Sequence, residues 1–288
     1  MPSRPKYASF RTLLASGSLI RMCGAHTALG ARIAEEAGFD AVWSSSLEVS
    51  AARCLPDASI LTMSEYLEAA RHMQSRLSIP VVADVDTGYG NNLNVARMVQ
   101  EYEAAGITAV CMEDKLFPKM NSFVGNGQKL LDADSFASKV RTAADARAGS
   151  DFMVIARTEA LVSGLGVDEA LRRGHYYVDA GAEAVLVHSK SSTNTQLLEF
   201  LSGWQDRAPV VVVPTTYPSW TASEAARDGV SVVIYANQGL RATVRTLRDT
   251  YARILHDGGT SAVEDEIASV KDIFELQNLT DWQALEAL

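Results

Sequence analysis

Cysteine is scarce. The 288 residues hold three, Cys23, Cys54 and Cys111, with no CxxC pair and no spacing of metal-ligand type. A disulfide framework and a thiolate metal centre are excluded, and a reducing compartment is the expectation. Long apolar runs are also missing. No stretch reaches the ~20 residues that a membrane span needs, and Met1-Pro-Ser-Arg-Pro-Lys-Tyr7 has no apolar signal core. Positive charge is in deficit, 26 Lys and Arg against 35 Asp and Glu for a net charge of -9. That balance argues against nucleic acid or an anionic membrane as partner. A dinucleotide fingerprint is absent too, because Gly88-Tyr-Gly90 lacks the third glycine of GxGxxG. The expectation left standing is a cytoplasmic protein with a small-molecule partner, and at 47% hydrophobic residues it buries a sizeable core.

What is present is a repeated unit. The phrases Glu36-Ala-Gly-Phe-Asp-Ala41, Ala104-Ala-Gly-Ile-Thr-Ala109 and Asp179-Ala-Gly-Ala-Glu-Ala184 recur where a helical pattern gives way to an apolar run. Eight short Val/Ile/Ala-rich runs begin near residues 19, 39, 79, 109, 152, 184, 210 and 230, and helical spacing follows them. Thr62 with Glu65 three residues on reads as a capping box for a helix over 62–76. Continuous apolar strands mean burial on both faces, hence a parallel sheet. Eight strand–helix units predict an α/β fold of the (β/α)8 TIM-barrel type. The expected organisation is one barrel domain over 1–288, with 257–288 as a helical extension.

In such a barrel the chemistry gathers at the C-terminal strand ends. Those ends carry Trp43-Ser-Ser-Ser46, Asp84 and Asp86, Glu113, Arg157 and Glu159, His188, Thr215 and Asn237, with Asp57 on the second loop. Each has a plain alternative, as a turn cap, a structural ion pair or a satisfied core histidine, but independent caps have no reason to collect at one end. Asp84, Asp86 and Glu113 form an all-oxygen anionic set suited to Mg²⁺ or Mn²⁺ held partly through water. Arg157 and His188 are donors for a carboxylate or phosphoryl oxygen. Ser45 and Ser46 can cradle an anion. The long loop 114–131 reads as functional, with Lys119, Asn121 and Ser122 on it and Gly125 and Gly127 to let it move. The set suits a 2-oxo acid or its enolate.

Ser45, Asp57, Asp84-x-Asp86-Thr-Gly-Tyr-Gly90, Glu113-Asp-Lys115, Arg157 and His188 together resemble the isocitrate lyase/phosphoenolpyruvate mutase superfamily over nearly the whole chain. Glu113-Asp-Lys115 followed by Lys119-Met-Asn-Ser122 is similar to the signature of the mutase branch. The cysteine loop of the lyase branch is missing. Hydrolases of phosphonopyruvate tend to have Thr where this chain has Asn121, which leans the reading toward a mutase. The resemblance implies interconversion of phosphoenolpyruvate and phosphonopyruvate, with hydrolysis to pyruvate and phosphate as the alternative. It implies Mg²⁺ anchored through Asp84, with Asp86 and Glu113 in support through water. It assigns phosphoryl binding to Arg157 and His188, acceptance or stabilisation of the phosphoryl group to Asp57, and the carboxylate to Ser45 and Ser46. Lys119, Asn121 and Ser122 fall on the closing loop. It further implies C-terminal helices exchanged between subunits in a homotetramer or homodimer. An inert barrel that senses a 2-oxo acid and a carbon–carbon lyase are the remaining readings.

Overall fold

The computed structural model describes residues 9–125 and 128–286. Eight parallel strands close a barrel in chain order: β1 (Ile20–Ala25), β2 (Ala41–Ser44), β3 (Val81–Asp84), β4 (Ala109–Glu113), β5 (Met153–Thr158), β6 (Ala184–Val187), β7 (Val210–Val212) and β8 (Val232–Tyr235). Closure is made by β1 on β8, with Ile20 opposite Val232. Outside lie α1 (Phe10–Ala15), α2 (Ala28–Glu36), α3 (Ser46–Ala51), α4 (Met63–Gln74), α5 (Asn92–Ala104), α6 (Ala133–Asp145), α7 (Gly166–Asp179), α8 (Thr195–Trp204) and α9 (Ala222–Arg227). The expected (β/α)8 fold is therefore present.

Residues of alternating direction face the two sides of the barrel wall. Met22, Trp43, Val82, Cys111, Ile155, Leu186, Val211 and Ile234 point inward with Phe10 of α1. Val81, Ala83, Val110, Met112, Val154 and Ala156 pack outward against the helices. This period of two sets the site. Stepping on by two from Val82, Cys111, Ile155 and Leu186 gives Asp84, Glu113, Arg157 and His188, so the inward row turns from apolar to charged at one end of the barrel.

Local sequence explains the helix ends. Thr62 and Glu65 form the capping box of α4 as expected, with Glu65 Oε2 accepting from the Thr62 N–H at 2.7 Å. Sequence reading leaves the segment after Ser46 as loop, but the structure winds it into α3, with the Ser45 hydroxyl accepting from the Glu48 N–H at 3.3 Å. The helix is six residues long, too short for a periodic pattern to mark it. Gly24 permits the close approach of β1 to the turn after β8, since a Cβ there would lie 2.2 Å from the Ala236 carbonyl oxygen.

The chain divides into two compact units, one ending at Asn237 and one beginning at Gln238. The second contains α10 (Gln238–Asp257), a short 3-10 turn (Glu264–Glu266), α11 (Val270–Leu276) and α12 (Leu279–Glu286). None of these four has a buried residue. No helix among the described residues is long and apolar enough to cross a membrane.

Candidate active site

A cavity of about 50 Å³ opens at the C-terminal end of the barrel. Trp43, Ser45, Ser46, Asp57, Asp84, Lys119, Asn121, Ser122, Arg157 and His188 all line it, as do Thr215 and Asn237. Asp86 and Glu113 do not line it but lie buried at its margin, Asp86 2.8 Å from the Lys119 ammonium and Glu113 3.3 Å from the Arg157 guanidinium. The structure thus brings together the residues singled out from the sequence. Leu47, Phe123, Val213 and Ala236 complete the lining with apolar surface, which spacing alone does not reveal.

The loop between β4 and α6 lies over this cavity on a two-stranded stem. Leu131 N–H donates to the Asp114 carbonyl at 2.8 Å and Leu116 N–H to the Lys129 carbonyl at 3.1 Å. The Asp114 carboxylate, fully buried, accepts from Thr158 Oγ1 at 3.0 Å, the Glu159 N–H at 2.9 Å, Arg173 Nη1 at 3.0 Å and Tyr177 OH at 2.7 Å. Arg173 also donates to the Leu131 carbonyl at 3.1 Å, so both feet of the loop are tied to α7. Gly125 has a φ of 71°, in the region that favours glycine, while Gly127 lies outside the described residues.

Asp57 is the loop's landing point. Lys119 Nζ reaches its Oδ1 at 2.6 Å and Asn121 Nδ2 its Oδ2 at 2.7 Å. Burial opposes ionisation of Asp57, but Lys119 and Asn121 outweigh it and hold the carboxyl below its ordinary value. Burial likewise opposes the Lys119 charge, and Asp86, Glu113, Asp57 and Asp84 reverse the effect, raising its pKa well above normal.

The opposite wall is built on Glu159, which is fully buried. Its Oε1 accepts from Arg157 Nε at 2.5 Å and sits 2.8 Å from His188 Nδ1, while its Oε2 accepts from Ser122 Oγ at 2.7 Å. Arg157 Nη2 lies 2.9 Å from the same His188 nitrogen. A neutral ring can accept there from the guanidinium, whereas an Nδ1–H tautomer donates to Glu159. Burial lowers the His188 pKa, with Glu159 opposing and Arg157 reinforcing that effect. Sequence reading placed Glu159 among the strand-end residues, with a structural ion pair as the alternative, and named Lys115 in a motif, but gave neither a role. Lys115 is 3% exposed, and its Nζ donates to the Met120 carbonyl at 2.9 Å and Ser122 Oγ at 2.7 Å.

The charges test whether a divalent cation fits. Five carboxylates, Asp57, Asp84, Asp86, Glu113 and Glu159, face three fixed cations, Lys115, Lys119 and Arg157. With all five carboxylates ionised the site is two positive charges short. Burial raises Asp86 to about 6 and Glu113 to about 7, and Glu113 Oε1 has no hydrogen-bond partner among the described residues. Among the described residues no three Asp, Glu, His or Cys side chains form a ready-made metal cage. The oxygen donors and the missing charge fit a hard divalent ion that keeps much of its water. Asp84 would hold it, with Asp86 and Glu113 acting through water.

Comparison with known proteins agrees with this architecture. Residues 10–255 match the sequence profile described as phosphoenolpyruvate phosphomutase. The phosphonopyruvate hydrolase of Variovorax sp. (strain Pal2) is 46% identical over 284 residues, covering 98% of each chain. A crystal structure of phosphoenolpyruvate phosphomutase from Streptomyces platensis subsp. rosaceus superposes with a TM-score of 0.95 at 51% identity, covering 96% of each chain. A phosphonopyruvate hydrolase complexed with oxalate and Mg²⁺ superposes with a TM-score of 0.91 at 46% identity, again over 96% of each. These relatives are enzymes, and the barrel, its charged rim and the loop motif agree with the profile. The chain belongs to the phosphoenolpyruvate phosphomutase family, within the PEP mutase/isocitrate lyase superfamily.

Proposed function

We propose that this protein interconverts phosphoenolpyruvate and phosphonopyruvate. The observation that carries the reading is the double grip of the loop on Asp57, through Lys119 and Asn121, over a small cavity. Transfer of a phosphoryl group between carbon and oxygen of one enolate requires positioning and exclusion of water. Arg157 and His188 hold the phosphoryl oxygens. Ser45 and Ser46 hold the carboxylate, with Trp43 packed beneath it. Asp57 takes the phosphorus as the C–P bond breaks, leaving the pyruvate enolate. The enolate oxygen then takes the phosphorus back as the bond to Asp57 breaks, giving phosphoenolpyruvate. Lys119 and Asn121 aim Asp57 and offset its charge, and Ser122 pins the loop to Glu159. A divalent ion such as Mg²⁺ or Mn²⁺, bound at Asp84, would supply positive charge beside the enolate oxygen.

Hydrolysis of phosphonopyruvate is the second reading, favoured by the 46% identity to the Variovorax hydrolase. The parts are the same, and the outcome differs in whether water reaches the phosphorylated Asp57. Phosphorus NMR of the protein with Mg²⁺ and phosphonopyruvate separates the two. A phosphoenolpyruvate resonance supports the mutase, phosphate with pyruvate supports the hydrolase, and an unchanged spectrum defeats both.

A further inference from the structure

The loop's grip on Asp57 is organised from beneath by a residue that does not line the cavity. Lys115 lies two residues beyond the end of β4, pairs in the stem with Leu130, and turns its side chain under the loop. Its ammonium donates to the Met120 carbonyl at 2.9 Å and to Ser122 Oγ at 2.7 Å, and lies 3.5 Å from Glu159 Oε2. Ser122 passes its own proton to Glu159 at 2.7 Å and also accepts from Arg157 Nη2 at 3.3 Å. The Ser122 hydroxyl is therefore fully engaged within the protein. Met120 and Ser122 flank Asn121, and Lys119 precedes them. Two contacts from Lys115, one to the Met120 backbone carbonyl and one to the Ser122 side chain, consequently hold the chain on both sides of Asn121 and just after Lys119. Beyond Ser122, Glu159 carries the same network into Arg157 and His188.

We infer that Lys115 is a positioning residue for the reaction: it sets the closed form of the loop and couples that form to the phosphoryl-binding pair through Ser122 and Glu159. The inference rests on the proposed function for its catalytic consequence, and on geometry alone for its conformational one. Without the ammonium, the Met120 carbonyl and Ser122 lose a charged donor and the loop opens more often. Lys119 leaves Asp57 in each opening, and water reaches the phosphoryl group.

The test joins a conformational readout to a chemical one. Trypsin cleaves after Lys119 only when that buried side chain leaves the cavity. In Lys115→Met, cleavage at this bond in the presence of Mg²⁺ and oxalate is expected to accelerate about 10- to 100-fold, the equilibrium worth of one or two hydrogen bonds to a charged group. The ratio of phosphate to phosphoenolpyruvate formed should rise, with kcat falling more than KM changes. Ser122→Ala, which removes no charge, should move both readouts the same way, and the double variant should be no worse than the more affected single one. If Lys115→Met fails to unfold cooperatively, Ser122→Ala carries the test alone. Wild-type cleavage and product ratio in a folded variant would overturn the inference. A wild-type protein that turns over neither compound would defeat the functional reading, while the proteolysis arm would still judge the role of Lys115.

Discussion

At the residue scale, Asp57 is the most exposed to test. Asp57→Ala is expected to lower kcat by about 10³-fold or more while the thermal transition stays cooperative, because Asp86 remains 2.8 Å from Lys119 to balance its charge. Near-normal turnover in that variant would remove Asp57 from the phosphoryl path. Asn121→Thr shortens the donor that reaches Asp57 Oδ2 at 2.7 Å. A mutase should then release measurable phosphate, whereas a hydrolase should change its products little. Asp84, Glu113, Arg157 and His188 were legible in the sequence because an alternation of two, counted along apolar strands, carries each inward at the same end. The parts played by Lys115 and Glu159 were not, although both residues were singled out, because those parts lie in contacts with residues 7 and 37 positions away, which no local pattern encodes.

The buried carboxylates also give the ion-free protein a particular response to pH. Glu113 titrates near 4.5 unfolded and near 7 folded, so between those values the folded state binds the extra proton and its stability falls as pH rises. Asp86, raised to about 6, acts in the same direction. His188 is lowered from 6.5, which adds stability as pH rises toward that value and opposes the carboxylates there. As pH rises past 6.5 the imidazole loses its remaining proton in the unfolded state, so its opposition fades while Glu113, raised to about 7, is still titrating in the folded state. The melting temperature in EDTA should therefore drop between pH 6.5 and ~8, and saturating Mg²⁺ should raise it more at the upper end. An equal Mg²⁺ effect at both ends would detach Glu113 from the ion.

At the element scale, the loop stem is the informative piece. Its length marked it as functional, and its charged motif marked what it covers. Its anchorage was hidden, since Arg173 and Tyr177 look in sequence like ordinary positions of α7. In the structure they close a buried cluster on Asp114, where burial pushes the carboxyl up even against its four donors. Arg173→Met leaves that carboxylate buried without its cation and is expected to cost about 3–5 kcal/mol in urea unfolding. Adding Asp114→Asn should recover part of the loss, because the stranded charge goes with it. A cost near zero for the single variant would mean the stem is held elsewhere. The turn after β3 was only half legible as well. Asp84-x-Asp86-Thr-Gly suggests a turn, but Asp86 at a φ of 49° and Tyr89 at 60° are conformations that composition does not announce. Lys139 of α6 steadies that turn by donating to the Thr87 carbonyl at 2.9 Å.

At the scale of the whole molecule, the barrel was readable because the same helix-to-strand phrase recurs and each recurrence is followed by a strand. The residues of the second unit were readable only as helix; the expectation that it packs on another subunit came from the family resemblance. Along α10, Val244, Leu247, Tyr251 and Leu255 fall on one helical stripe and are 42%, 42%, 59% and 84% exposed. Phe274 of α11 and Trp282 of α12 are 45% and 51% exposed. Apolar surface on this scale marks an interaction site. With a net charge of -9 over the sequence, which disfavours nucleic acid, a second copy of the chain is the partner we propose. The wild-type protein should therefore sediment as a multiple of its 31.0 kDa chain. Leu247→Glu combined with Tyr251→Glu places two charges in the stripe, and should shift the protein toward monomer while the barrel unit keeps its far-ultraviolet spectrum. Should the doubly charged variant retain the wild-type mass, the stripe would be no part of the assembly. A wild-type monomer would leave the apolar face to a different protein of complementary surface.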